Sequence, residues 1–188
     1  MAYDLHPPRH ALPVRPALGF SLLELMVVTA IALALAALAL PSWRSLLERW
    51  MLRTQAQALV DDLRYARTQA LARAQPVSLC LSSQASQCAS TSAGTDRSGW
   101  LVFLDPDGDR QLGPGESVLR QHQLDPQRLF VRSNHARAVL TYQSTGLARA
   151  AAQTLTLGVG PSGGARRLIC ISLQGRPALQ AQEVVSCS

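Results

Sequence analysis

The sequence predicts an α+β protein, a long N-terminal helix packed on a C-terminal antiparallel β-domain. Three observations predict the helix and the strands. Residues 20–40, FSLLELMVVTAIALALAALAL, are apolar apart from one carboxylate, Glu24. From Ser42 to Gln75 there is neither Gly nor Pro, and the strong helix formers Leu, Ala, Arg, Gln and Glu dominate. Beyond Pro76 the pattern turns into short β-type runs separated by clusters of turn residues.

Residues 1–19, MAYDLHPPRHALPVRPALG, come first. Four Pro and two Arg exclude a stable helix there, so the segment reads as a polar, basic leader. The apolar run after it matches the roughly 20 residues that span a hydrocarbon core, which predicts a transmembrane helix over 20–41. Arg9 and Arg15 precede the run while Arg44 and Arg49 follow it, so basic residues give little bias of orientation. Pro41 can kink a helix without ending it. Over 42–75, Ala56, Val60, Leu63, Ala70 and Ala74 recur three, four or seven apart. Arg49, Arg53, Asp61, Asp62, Arg64 and Arg67 supply polar positions. The segment is therefore expected to be an amphipathic helix whose apolar stripe needs a domain to cover it.

Pro76 ends the helix, and residues 76–188 are expected to form the β-domain. Its strand candidates are 77–81, 99–105, 117–122, 128–133, 138–143, 154–159 and 167–173. Four Cys, at 80, 88, 170 and 187, all follow the apolar run. None forms a C-x-x-C pair, which argues against zinc, and an even number suits disulfides in an oxidising compartment. Three connectivities exist; Cys80–Cys88 and Cys170–Cys187 are favoured because each closes a short loop.

The chain of 188 residues holds one modest domain beyond its terminal segments. Its net charge is +6, every basic residue is Arg, and the excess is scattered rather than blocked. Such a balance permits contact with nucleic acid or acidic lipid without demonstrating either. Catalysis finds no support: His6, His10, His122 and His135 show no triad or metal spacing. The GPSGG stretch lacks the Lys-Ser/Thr of a phosphate-cradling loop and opens no helix, so no cofactor is implied.

The carboxylate in the apolar run carries the functional argument. A charge at membrane depth costs roughly 2.5–3.5 kcal/mol on insertion scales and usually has a partner. A cleaved secretory signal would have a shorter apolar region and no acid in its first turn. Gly19-Phe20-Ser21-Leu22-Leu23-Glu24-Leu25-Met26-Val27-Val28 closely resembles the type IV prepilin signature of pilins and type II secretion pseudopilins. The resemblance implies cleavage after Gly19 by a prepilin peptidase and N-methylation of Phe20. Glu24 would then be the fifth residue of the mature chain, paired with the Phe20 amine of a neighbouring subunit. Such a pair sets register more than it adds stability.

The remainder resembles the GspH/FimT group of minor pilins and pseudopilins. The carriers are segment 49–75 with its ARTQALARAQP ending, Ser98 to Asp105 with Glu116 beyond, Leu140-Thr141-Tyr142 to Gly146 with the following TLTL, and Arg167 to Ser172 with Gly175-Arg176-Pro177. The resemblance implies a structural subunit of a type IV pilus or a type II secretion system, not an enzyme. It would be single-pass in the bacterial inner membrane, with its globular domain in the periplasm and other pilins or pseudopilins as partners.

The alternative is a DNA-binding minor pilin for natural transformation. DNA-binding members carry a Gly-Arg-x-Arg tail; this chain reads Gly175-Arg176-Pro177-Ala178 and lacks the second Arg. Arg166, Arg167 and Arg176 would form a basic patch if a hairpin around Gly175 brings them together, giving sequence-independent phosphate contacts. Finally, Asp105, Asp107, Asp109 and Glu116 occupy positions 1, 3, 5 and 12 of an EF-hand-like loop. Arg110 stands where that loop needs Gly, the flanks read as strands, and Asp-Pro and Asp-Gly are ordinary hairpin chemistry, so no metal is assigned.

Overall fold

The computed structural model describes residues 19–83, 87–88, 93–149, 152–160, 164–180 and 187, without the side chains of 38–42 and 44. The leader therefore lies outside the described residues except for Gly19. Helix α1 runs Leu22–Arg73 and includes Pro41. Among the described residues nine strands follow: β1 Val77–Ser82, β2 Gly99–Leu104, β3 Val118–Gln123, β4 Leu129–Ser133, β5 Val139–Tyr142, β6 Ala148–Arg149, β7 Thr154–Val159, β8 Arg166–Ile171 and β9 Pro177–Leu179. The seven sequence runs appear as strands; β6 and β9 are additions. The chain divides into two compact units, Met1–Trp43 and Arg44–Ser188.

In the second unit the strands form two antiparallel sheets, ordered β3-β2-β1-β5-β6 and β4-β7-β8-β9. The segment before β2 pairs with β4 through reciprocal Arg97–Val131 backbone hydrogen bonds of 2.9 Å. This covers one edge of the second sheet and ties it to the first, as an exposed edge requires.

The helix face facing this unit is wider than the stripe expected from sequence. Leu52, Ala56, Leu59, Val60, Leu63, Ala66 and Ala70 are all buried, so the stripe gains Leu52, Leu59 and Ala66. They share one core with Leu79, Leu81, Trp100, Val102, Leu140 and Tyr142 of the first sheet and Val131, Leu155, Leu157, Ile169 and Ile171 of the second. Each fully buried Leu contributes about 1.5–3 kcal/mol relative to exposure. Ala74 does not belong to the stripe. It is exposed, lies just past the helix end and has φ 52°, the left-handed geometry of a helix C-terminus.

The first sheet is apolar on both faces. Away from the helix, Cys80, Leu101, Phe103 and Val139 form a second small core covered by Cys88 and Leu112. The Cys80–Cys88 disulfide holds Cys88 against this face, and Cys170–Cys187 ties Cys187 to β8. On the outer face of the second sheet Phe130 lies flat on Gly158, where a Cβ would overlap its ring. Tyr142 Oη donates to the Gly175 carbonyl at 2.6 Å, joining the first sheet to the β8–β9 turn. Gly175 has φ 77°, and a Cβ there would overlap Ala148. The Gly of the Gly175-Arg176 turn is thus demanded by packing.

Candidate functional site

The segment around Glu24 begins where the helix begins. Gly19, Phe20 and Ser21 precede α1, and Ser21 Oγ accepts the Glu24 backbone N–H at 3.1 Å. Ser21-x-x-Glu24 is a capping-box pattern that sequence reading missed, because the apolar run drew attention to the carboxylate alone. Glu24 lies in the first turn, where a negative charge also favours the positive end of the helix dipole. Its side chain is exposed, as are those of its apolar neighbours. Phe20 is 82% accessible, Leu22 77% and Leu33 70%, far more than water tolerates in a lone helix. The Thr29 hydroxyl is satisfied internally by the Leu25 carbonyl at 2.9 Å, as a polar group in an apolar setting must be. Glu24 is therefore the one charge between Phe20 and Ala37. Among the described residues no helix is long and apolar enough to cross a membrane; the side chains of 38–42, which extend the apolar run, are not among them.

A polar cluster fixes the helix on the first sheet. Asp62 is buried on α1; its Oδ2 accepts Trp100 Nε1–H at 2.8 Å and its Oδ1 accepts Arg120 Nη1–H at 2.8 Å. The Arg120 guanidinium lies 3.6 Å from the centre of the Tyr65 ring, close enough for a cation–π contact. His122 stacks on Trp100 with ring centres 4.2 Å apart, and its Nε2 meets Gln55 Oε1 at 2.6 Å. That amide oxygen only accepts, so Nε2 carries the proton. Burial pushes the His122 imidazole below its ordinary range, with the Asp62 charge partly opposing. This cluster orients side chains; it brings no nucleophile to a base.

The acidic loop is only partly assembled. Carboxylate oxygens of Asp105, Asp107 and Asp109 lie within 4.8 Å of one another. Glu116 is not in that group; its Oε2 accepts the Gly113 N–H at 2.8 Å. Asp107 and Asp109 accept backbone N–H groups two residues on, the ordinary chemistry of a turn. Asp105 is fully buried, accepts Ser78 Oγ–H at 2.5 Å, and is pushed above the usual carboxylate range by that burial. Arg110, the residue in place of the loop glycine, nevertheless adopts φ 69°.

The three arginines of the proposed basic patch are not brought together. A β8–β9 hairpin does form, but Arg176 sits at its turn next to Pro177, whose partner Ile171 is five residues along β8 from Arg166. At about 3.3 Å per residue that is roughly 17 Å. Arg167 pairs with core-facing Leu157, whereas Arg166 pairs with Gly158, so the two occupy opposite faces.

Comparison with known proteins agrees with this architecture. The profile of the family described as Type II transport protein GspH matches residues 55–175. The chain is 32% identical over 172 residues to Pilin-like protein PilA1 of Thermus thermophilus, covering 86% of this chain and 97% of that protein. Its fold is similar to the crystal structure of the type IV minor pilin FimU of Pseudomonas aeruginosa, with TM-score 0.50 and 20% identity over 73% of this chain and 93% of that one. The minor pseudopilin EpsH from the Type 2 Secretion System of Vibrio cholerae aligns with TM-score 0.49 and 12% identity over 71% and 98% of the respective chains.

Proposed function

The chain belongs to the GspH family of pilin-like proteins, and from that premise we propose that it is a structural subunit, a minor pilin or pseudopilin, of a type IV pilus or type II secretion filament. A prepilin peptidase cleaves after Gly19, Phe20 becomes the methylated terminus, and residues 20–41 hold the subunit in the inner membrane with the β-domain in the periplasm. The observation that carries the reading is the exposed apolar segment with its single carboxylate at Glu24, in the first turn of the helix. Such a segment is stable only in lipid or among other helices, and its charge calls for a partner in either place. The new α-amine of Phe20 on an adjacent subunit supplies one. The separation of Arg166, Arg167 and Arg176 gives the DNA-uptake alternative nothing to rest on at that patch.

Intact-mass measurement of the chain from cells expressing a prepilin peptidase tests the processing. The expected mass begins at Phe20 and carries one methyl group. A chain that still begins at Met1, or that is cut beyond the apolar run, contradicts it.

A further inference from the structure

On the outer face of the first sheet, three arginines converge from distant parts of the sequence. Arg149 on β6 stands opposite Thr141 on β5, and cross-strand partners share a face. Thr141 Oγ1 meets Ser78 Oγ at 2.7 Å, and Val139, two residues before it, belongs to the outer core, which fixes that face as the one away from the helix. Arg110 crosses from the acidic loop and donates Nη2–H to the Val139 carbonyl at 2.7 Å. Arg137 lies two residues ahead of Val139, and both Arg137 and Arg149 are close enough to act electrostatically on Arg110.

Like charges gathered this way repel, so the arrangement needs an explanation. Asp105 offsets the two neighbouring arginines at Arg110 only in part. Asp105 accepts Ser78 and the Arg110 backbone, and Asp107 and Asp109 accept backbone N–H groups. Among the described residues no carboxylate forms an ion pair with Arg110, Arg137 or Arg149, in contrast to Arg64, Arg120, Arg128 and Arg132. Arg110 Nε is buried with no acceptor. Arg137 and Arg149 are exposed, and Arg149 lines a cleft of about 210 Å³ with Thr141, Gln143, Gly108 and Asp107, whose carboxylate is engaged by the Asp109 backbone N–H.

We propose that Arg110, Arg137 and Arg149 form a binding site for a phosphate-class oxyanion, free or as a phosphodiester. Guanidinium forks match the tetrahedral oxygens of phosphate, and three positive charges suit a multiply charged anion better than a single carboxylate. Arg110, anchored by its backbone-directed bond, is the fixed member, and the two exposed arginines close on the ligand. The site is separate from the assembly segment and from Arg166, Arg167 and Arg176.

The test uses the full chain in a zwitterionic detergent, with a short labelled oligothymidylate and inorganic phosphate as probes. An Arg137→Gln/Arg149→Gln variant leaves the core untouched, which near-UV circular dichroism checks. It is expected to bind the oligonucleotide about tenfold or more weakly at low salt. Its log–log salt slope is expected to shrink by about 1.4, the loss of two phosphate contacts on a single strand. The Arg64→Gln control, at an arginine paired on the helix with Asp61, is expected to bind as the parent does. Phosphate competing with the oligonucleotide supports a site for both forms, and phosphate binding alone supports the free anion. Equal binding by parent and double variant, no binding of either probe at low salt, or displacement by a poly-glutamate peptide as readily as by phosphate overturns the proposal.

Discussion

Trp100 of β2 donates its indole N–H to Asp62 of helix α1 across 2.8 Å, and both side chains are buried. The pair is the hinge pin of the helix–sheet contact: Asp62 also holds Arg120, and Trp100 also carries His122. Removing the acceptor strands a buried indole donor, which costs about 1–3 kcal/mol. Asp62→Ala is therefore expected to lower the unfolding free energy by about 2–3 kcal/mol. Asp62→Asn keeps an oxygen for Trp100 and is expected to lose about half as much. Denaturant unfolding followed by tryptophan fluorescence reads both values, and equal losses would show that the indole bond is not what matters.

Ala74 ends the helix in a conformation that favours glycine. Its φ is 52°, and it is exposed, so no packing holds it there. Left-handed backbone costs a non-glycine residue about 1–2 kcal/mol, offset in part by the greater chain entropy of glycine. Ala74→Gly is expected to raise the unfolding free energy by about 0.5–1 kcal/mol, measured by the same denaturation. A destabilised variant would place the helix end elsewhere.

His122 gives the fold a directional pH response. Its folded pKa lies below the ordinary imidazole value of 6.5, so the unfolded chain binds the proton more readily. Stability is then present above 6.5 and is lost as pH falls through the lower folded value. The groups around it, Asp62, Arg120, Gln55 and Trp100, do not reverse that sign, because burial outweighs the Asp62 charge. His122→Gln is expected to flatten the decline in melting temperature between pH 7 and 5 relative to the parent. A steeper decline in the variant contradicts the direction.

Much of this fold is legible in the sequence, and the exceptions have physical reasons. Strands of four or more residues announce themselves because apolar and β-branched residues must cover a face. Ala148–Arg149 and Pro177–Leu179 do not, since two or three residues carry no period and their pairing is imposed by Thr141 and Ile171. Asp62 looks like any polar helix position; only the placement of Trp100 makes it a buried one. Glu24 stands out in the sequence because a charge in an apolar run is costly wherever it sits. Arg110, Arg137 and Arg149 are invisible in sequence, as no local pattern links residues brought together by a strand pairing and a loop crossing. The reverse holds for Arg166, Arg167 and Arg176: they are near in sequence, but strand alternation and the length of β8 part them.

Glu24 is proposed to join one subunit to the next in the filament. The most direct measurement is co-purification of the full chain with other filament subunits from crosslinked, detergent-solubilised envelopes, comparing the parent with Glu24→Leu. The variant removes the counter-charge while making the segment more apolar, so membrane retention and the β-domain fold are expected to persist. Glu24→Leu is expected to remain in the membrane but to fall to background in the filament-associated fraction. Incorporation at the parental level would contradict it, leaving Glu24 only the role of supporting its own helix start beside Ser21.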